Sequence, residues 1–120
     1  MSQIWNRATQ KTLLLTFASG MLLLSGCAGS TEYGSAKINS EPQGAEVVNL
    51  RDNSHLGTTP VNVSFAGEAG SSEFITIQLR KLGYIDKITT FWINKRHKTA
   101  VEADDNAIDI SVSLEKKANN

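Results

Sequence analysis

The feature that most constrains the fold is a period-two alternation of apolar and polar residues in short runs. The clearest run is Ile108 to Leu114, in which every second residue is aliphatic and those between are Asp or Ser. A strand with one face buried and the other in water requires this pattern. No window shows helical periodicity of useful length. The sequence therefore predicts β-strands, at Ile38 to Ser40, Ala45 to Leu50, Val61 to Phe65, Phe74 to Leu79, Tyr84 to Ile93 and Ile108 to Leu114.

Residues typical of turns separate these runs. They include Pro42-Gln43-Gly44, Asp52-Asn53, Gly67 to Gly70 and Gly83. Gly and Asn reach positive φ at low cost, and Pro presets φ for a turn. Short strands between frequent turns are typical of a sandwich. The predicted fold class is all-β, a small antiparallel β-sandwich.

The first residues of the chain have the layout of a cleaved secretory signal. Arg7 and Lys11 precede an apolar stretch from Thr12 to Leu24, and small residues follow it. Such a stretch is too short to span a bilayer. We expect residues 1–26 to be a signal peptide.

The four residues Leu24-Ser25-Gly26-Cys27 resemble the lipobox of bacterial lipoproteins. The resemblance implies that the Cys27 thiol receives a diacylglyceryl group, that the chain is cut before Cys27, and that the new amine is acylated. These chains would be the only non-protein group, and they would hold the mature protein on a membrane. In enterobacterial lipoproteins an Asp directly after the lipidated Cys retains the protein in the inner membrane. Here that position is Ala28, so the resemblance implies the outer membrane. The periplasmic face is expected.

Cys27 is the only cysteine, so the chain has no internal disulfide and must rely on packing. The sequence has 12 basic and 12 acidic side chains, and loss of Arg7 and Lys11 with the signal leaves a slight negative charge. Nucleic-acid binding therefore has no electrostatic support. No metal site is predicted, because the acidic group Glu102, Asp104 and Asp105 lacks the spacing of a calcium loop.

The composition also predicts the domain boundaries. Ala28 to Ala36 is rich in Gly, Ser and Thr, which favours a flexible tether in residues 27–36. The domain is predicted to occupy residues 37–116, followed by a disordered tail at 117–120. A fragment that begins at Lys37 is expected to fold alone.

A family resemblance is carried by three parts of the chain, namely Ile38 to Val47, Leu56 to Val61 and the later pair Gly83-Tyr84. They resemble a PEGA domain, with Gln43 in place of the Glu of its Pro-Glu-Gly-Ala turn. The resemblance implies a small β-sandwich of the transthyretin-like or carboxypeptidase-regulatory kind. The motif residues are of types that form turns and end strands, so we assign them a structural role and not a catalytic or binding one. These predicted fold determinants are Pro42, Gly44, Ala45, Gly57, Thr59, Pro60, Gly83 and Tyr84.

One segment has the charge for recognition. Lys95-Arg96-His97-Lys98 follows the amphipathic Trp92 and precedes the acidic residues 102–105. It is predicted to be an exposed loop. In one interpretation Lys95, Arg96, Lys98 and Trp92 contact lipid head groups, phosphates or an acidic protein partner. In the other it is a solvated loop whose opposite charges partly neutralise each other. Neutralising the three cations is expected to leave stability nearly intact.

No catalytic residues are predicted, because His55 and His97 are isolated and no nucleophilic constellation is recognisable. Two functions remain. The first is a non-catalytic envelope lipoprotein whose domain binds another envelope protein, as an adaptor or assembly accessory. The second is a structural envelope component that binds peptidoglycan or glycolipid head groups through the basic loop. A free strand edge is a further candidate surface, by β-augmentation.

Overall fold

The computed structural model describes residues 30–119, where it shows seven strands and one short helix. The predicted signal residues and Cys27 lie outside this range. The fold class predicted from the alternation, all-β, is confirmed. The elements are β1 (Thr31–Glu41), β2 (Glu46–Asn49), β3 (Ser54–Thr58), β4 (Val61–Glu68), β5 (Ser72–Arg80), β6 (Lys87–Asn94), α1 (Ala100–Asp105) and β7 (Ile108–Ser113).

The strands form two sheets. Sheet A has the order β4-β1-β7, and sheet B has the order β3-β2-β5-β6. The neighbours are antiparallel except for β1 and β7, which are parallel. This parallel pair is the exception, among the described strands, to the antiparallel sandwich that the sequence predicted. A hairpin cannot join parallel strands, and here the connection between them contains all the other strands.

The core lies between the two sheets. Phe65 of sheet A meets Phe91 of sheet B edge to face, with ring centroids 6.4 Å apart. In β7 the alternation is as predicted, since Val112 is buried and Ile110 packs against the core. Burial of each large aliphatic side chain contributes about 1.5–3 kcal/mol. The buried cluster comprises Ala36, Ile38, Ala45, Val47, Phe65, Ile75, Ile77, Leu79, Phe91, Ile93, Val112 and Leu114.

Thr59 connects the two motif stretches. Its Oγ1 accepts hydrogen bonds from the N–H groups of Ala45 (2.9 Å) and Gly44 (3.1 Å). Ser40 Oγ donates its hydrogen to the Pro42 carbonyl (2.8 Å), so the 2.6 Å hydrogen bond between Ser40 and Thr59 is donated by Thr59. The prediction that a threonine here bonds to the local backbone is wrong for Thr59 in one respect, because its backbone partners are 14 and 15 residues away in the sequence. Gly44 has φ +93°, as a turn at this point requires.

The other motif positions lie near turns. Gly57 is in β3, Pro60 separates β3 from β4, and Gly83 and Tyr84 precede β6. Tyr84 is half-buried and packs against the core cluster.

The hairpin between β2 and β3 has Asn53 at φ +59°, as expected of an Asp-Asn tip. The hydroxyl of Ser54 donates to the Asp52 carboxylate (2.6 Å), and the Ser54 N–H adds a second bond (3.0 Å). These hydrogen bonds hold the pKa of Asp52 below its ordinary value, the hydroxyl contributing most.

The predicted tether is wrong from Thr31 onward, because β1 begins there and not near Ile38. Residues 31–36 pair with residues 63–68 of β4, so that backbone hydrogen bonds order a segment with few large apolar side chains. The small residues Ser35 and Ala36 are buried, and they permit close packing.

The far end of the chain also differs from prediction. The predicted disordered tail begins at Lys117, but the Lys117 N–H donates to the carbonyl of Gly83 (2.9 Å). Lys116 forms a β-bridge with Tyr84. Tyr84 is consequently not part of β6, which begins at Lys87. Within residues 30–119 no helix has the length and apolarity needed to cross a membrane.

Candidate protein-binding surface

An apolar face lies on the outside of sheet B. In β5 the odd-numbered residues Ile75, Ile77 and Leu79 point into the core, so the even-numbered residues point outward. Phe74 lies directly opposite Trp92 of β6, and their ring centroids are 5.1 Å apart. Phe74 is 51% exposed, Trp92 61% and Ile88 57%. We call Phe74, Ile88 and Trp92 the aromatic face.

The sequence identified only one of these three residues. Trp92 was expected to lie in a strand and to flank the basic loop, and it lies in β6, whereas Phe74 and Ile88 were assigned only to strands. A signal was present, because Phe74 has the opposite parity from its core neighbours Ile75 and Ile77. An outward aromatic residue on a period-two strand is the pattern that marks such a surface.

Lys95 is not part of an exposed loop. It is 5% exposed, and its Nζ lies 2.9 Å from Glu73 Oε1. Its stem passes over Gly67, where an added Cβ would lie 2.8 Å from the Lys95 Cδ. The alternation explains the burial, since Lys95 has the same parity as Phe91 and Ile93 and so points inward.

The remaining basic residues are more accessible. Arg96 and Lys98 are exposed, and His97 is partly buried with its Nδ1 3.4 Å from Glu102 Oε1. The backbone N–H and carbonyl of His97 both bond to Tyr33 of β1 (3.0 and 2.7 Å). The segment after β6 therefore crosses from sheet B to sheet A, and only two of the three predicted recognition cations face solvent.

The acidic segment forms α1, although the sequence predicted a loop. Thr99 caps the helix, and its hydroxyl accepts from the N–H of Glu102 (3.1 Å). Ser35 donates to Asp104 Oδ1 (2.5 Å), which holds the helix against β1. A six-residue helix is too short for its periodicity to be recognised in the sequence. Within residues 30–119 no three His, Cys, Asp or Glu side chains are grouped to hold a metal ion.

A small pocket adjoins the aromatic face. It has a volume of about 170 Å³, and its lining includes Trp92, Arg96 and His97. Gly34 allows β1 to approach β6 here, because a Cβ at this position would collide with the Asn94 carbonyl oxygen.

The structure thus brings Trp92, Arg96 and His97 together, with Lys98 following closely in the chain. It separates Lys95 from them in the interior and places the motif residues around Thr59 and in turns. Leu24, Ser25, Gly26 and Cys27 lie outside the described residues. Comparison of the chain with protein-family models, curated proteins and solved structures found no match.

Proposed function

We propose that the protein is a non-catalytic lipoprotein of the bacterial envelope whose β-sandwich binds another envelope protein, as an adaptor or assembly accessory. The observation that carries this proposal is the aromatic face. Two large aromatic side chains and an isoleucine stay in solvent on a rigid two-strand support. Clustered exposed apolar side chains of this kind mark interaction sites, and aromatic residues are enriched at the centres of interfaces.

The sequence supports the anchor. Leu24-Ser25-Gly26-Cys27 has the form of a lipobox, and acyl chains on Cys27 would bind a membrane with about 0.8 kcal/mol for each buried methylene. Ala28 favours the outer membrane, with the domain in the periplasm. The likeness to PEGA domains is supported by the Thr59 network, which gives the residues of both motif stretches one shared structural role.

The binding proposal is tested with a photo-reactive amino acid placed in the full-length chain in intact cells. At position 92 or 74 it should crosslink one envelope protein in stoichiometric amount. Position 62, an exposed residue of β4 in sheet A, is the control. If positions 92 and 62 give the same diffuse products, the aromatic face is not a binding surface.

The anchor is tested separately through Cys27→Ser. The variant should accumulate as a longer precursor that takes up no labelled fatty acid, because the thiol that would carry the lipid is gone. Normal processing and labelling of Cys27→Ser would refute the lipoprotein assignment and leave the binding surface untested by this experiment.

A second candidate function is binding of peptidoglycan or of glycolipid head groups. The pocket beside Trp92 favours it, because Arg96 in the lining can pair with phosphate or carboxylate. Lys95 takes no part, since it is paired with Glu73. Vesicles that contain lipopolysaccharide should then bind the chain from Ser30 onward, which lacks Cys27 and its lipid, at low salt and release it at physiological salt, and Arg96→Ala with Lys98→Ala should abolish binding. No binding at either salt concentration would favour the first function.

A further inference from the structure

The hydrogen bonding of β6 leaves alternate backbone groups pointing away from sheet B. The Lys95 N–H donates to the carbonyl of Ser71, which lies directly opposite it in the β5–β6 register (2.9 Å). Because hydrogen-bonded and non-bonded pairs alternate in antiparallel strands, the odd-numbered positions of β6 bond to β5. The even-numbered positions of β6, from 88 to 94, therefore direct their N–H and C=O groups away from β5. The pairing on the other side of β5 agrees. The Leu50 N–H donates to the Thr76 carbonyl (3.0 Å), so even-numbered residues of β5 bond toward β2 and odd-numbered ones toward β6.

Both ends of this edge are closed by other parts of the chain. At one end the Ile85 N–H donates to the Glu115 carbonyl (2.8 Å), so the C-terminal segment covers the strand. At the other end the N–H groups of Arg96 and His97 bond to Tyr33 of sheet A (3.2 and 3.0 Å). β6 begins at Lys87, and the Asn94 carbonyl lies against Gly34 of β1, so the open even-numbered positions are 88, 90 and 92, with Thr90 at their centre.

We propose that two copies of this chain pair through this edge, β6 against β6, antiparallel about a two-fold axis at Thr90. The axis places position 86 opposite 94 and position 88 opposite 92 of the second copy. Positions 88, 90 and 92 direct their backbone groups to the open edge, so donors meet acceptors over this span. Such an interface is isologous and joins the two copies of sheet B into one continuous sheet.

The side chains are self-complementary in this register. Trp92 lies beside Ile88 of the second copy, and the reciprocal pair repeats beyond the axis. Both side chains are more than half exposed in one copy, so pairing covers apolar surface that water otherwise contacts. At each end Asp86 of one copy comes near Arg96 of the other. No two like charges lie directly opposite each other, which favours a second copy as the occupant.

The pairing goes beyond the proposed function, because it joins two copies through the backbone groups at the edge of β6, although Trp92 and Ile88 of the aromatic face also contribute to it. In the dimer the two aromatic faces lie side by side on one sheet, which doubles the surface offered to a partner. Either proposal can fail without the other.

The test uses two differently tagged full-length copies expressed in the same cells. One carries Asp86→Cys and the other Asn94→Cys, and a short membrane-permeant bismaleimide joins nearby thiols in any compartment. The pairing predicts a crosslinked product with the mass of two chains and both tags. Asp86→Cys with itself should give none, because antiparallel pairing separates the two copies of position 86 by about 27 Å at 3.3 Å per residue.

Three controls make the result specific. Wild-type copies report any product through Cys27, and Asp86→Cys with Thr58→Cys, on the opposite edge of sheet B, reports chance collisions. Thr90→Pro in both copies removes an edge donor and should abolish the mixed product. Equal yields from Asn94→Cys and Thr58→Cys, while protease resistance shows that both copies are folded, would overturn the proposal. A crosslinked product whose mass is not that of two chains, formed by Asp86→Cys alone or by Asn94→Cys alone, would also overturn the proposal.

Discussion

Lys95 and Glu73 form an ion pair at the rim of the core, where the chain passes from sheet B to sheet A. The lysine is almost fully buried, whereas the Glu73 side chain is 28% exposed and also lies 3.7 Å from Arg51. Removal of one partner of such a pair leaves a charge poorly compensated, which costs more than the pair itself contributes. The stability of the domain therefore depends on Lys95 in a way that its basic neighbours do not share.

We expect Lys95→Met to lower the free energy of unfolding by about 1–3 kcal/mol, because it keeps the stem and removes the charge opposite Glu73. Arg96→Ala and Lys98→Ala, which are exposed, should each change it by less than about 0.5 kcal/mol. Urea unfolding of the chain from Ser30 onward measures all three. Equal effects at the three positions would contradict the buried pair.

The second prediction at this scale concerns Thr59. Thr59→Val keeps the shape of the side chain but leaves the Ala45 N–H without its acceptor in a buried site. The expected loss is about 1–3 kcal/mol. Thr58→Val, at the exposed neighbouring position, is the matched control and should be close to neutral. A neutral Thr59→Val would show that the motif stretches are held together by other contacts.

At the residue scale the sequence was informative where a side chain acts locally. The turn residues Gly44 and Asn53 were predicted correctly, since each depends on nearby backbone. The partners of the Thr59 hydroxyl were not predicted, because they are 14 and 15 residues away. The predicted exposure of Lys95 was wrong. That prediction rested on the charge of the four-residue basic run and did not use the odd-numbered position of Lys95, which it shares with the inward-facing Phe91 and Ile93. Its partner Glu73 lies far away in the sequence, and only the register of β5 and β6 reveals that the two meet.

At the scale of elements, β6 has two kinds of position. The N–H groups of odd-numbered residues bond to β5, and those of even-numbered residues face outward. Proline lacks an N–H group, so at an odd-numbered position it removes a hydrogen bond to β5 and should be disruptive. At an even-numbered position no such bond exists, and proline should be tolerated.

We expect Thr89→Pro to destabilise the domain by about 3 kcal/mol or more, and Thr90→Pro to cost much less. Thermal unfolding of the two variants, monitored by circular dichroism, provides the comparison. The neighbouring threonines are chemically matched, and although Thr89 is partly buried and Thr90 is exposed, the difference reports mainly on the direction of the N–H. The reverse order would shift the assumed hydrogen-bond register by one residue and exclude the proposed pairing.

Most strands were predictable because their alternation reports burial on one face. The first half of β1 was not, since Thr31 to Ala36 contains few large apolar residues, and its order comes from pairing with a distant strand. β3 was missed for a similar reason, as its five residues include Gly57 and a single aliphatic residue. Local composition does not record a pairing that tertiary structure supplies.

At the scale of the molecule, β1 is the central strand of sheet A, so the boundary of the domain matters. We expect the fragment that begins at Lys37 to lack a cooperative unfolding transition, whereas the fragment that begins at Ser30 should show one. The shorter fragment lacks the residues that pair with the second half of β4. Differential scanning calorimetry of both fragments tests this. Equal transitions would mean that residues 30–36 add no stability.

The sequence predicted the class of the whole molecule but not its surface. All-β packing follows from patterns within single strands, whereas the aromatic face depends on which strands become neighbours. Phe74 and Trp92 are adjacent only because β5 and β6 pair in one particular register. The proposed envelope anchor rests on the opposite kind of information, a short contiguous motif around Cys27.

The parallel pairing of β1 with β7 determines when folding can be completed during synthesis. Residues 36–41 emerge early from the ribosome, but their neighbours in β7 are made near the end. Sheet A cannot close before then, so a nascent chain has a central strand with one unpaired edge. Contacts between such distant segments also slow folding. A chain built in this way completes sheet A only near the end of its synthesis, and this delay would suit the export proposed above, because passage through a protein-conducting channel requires an unfolded chain.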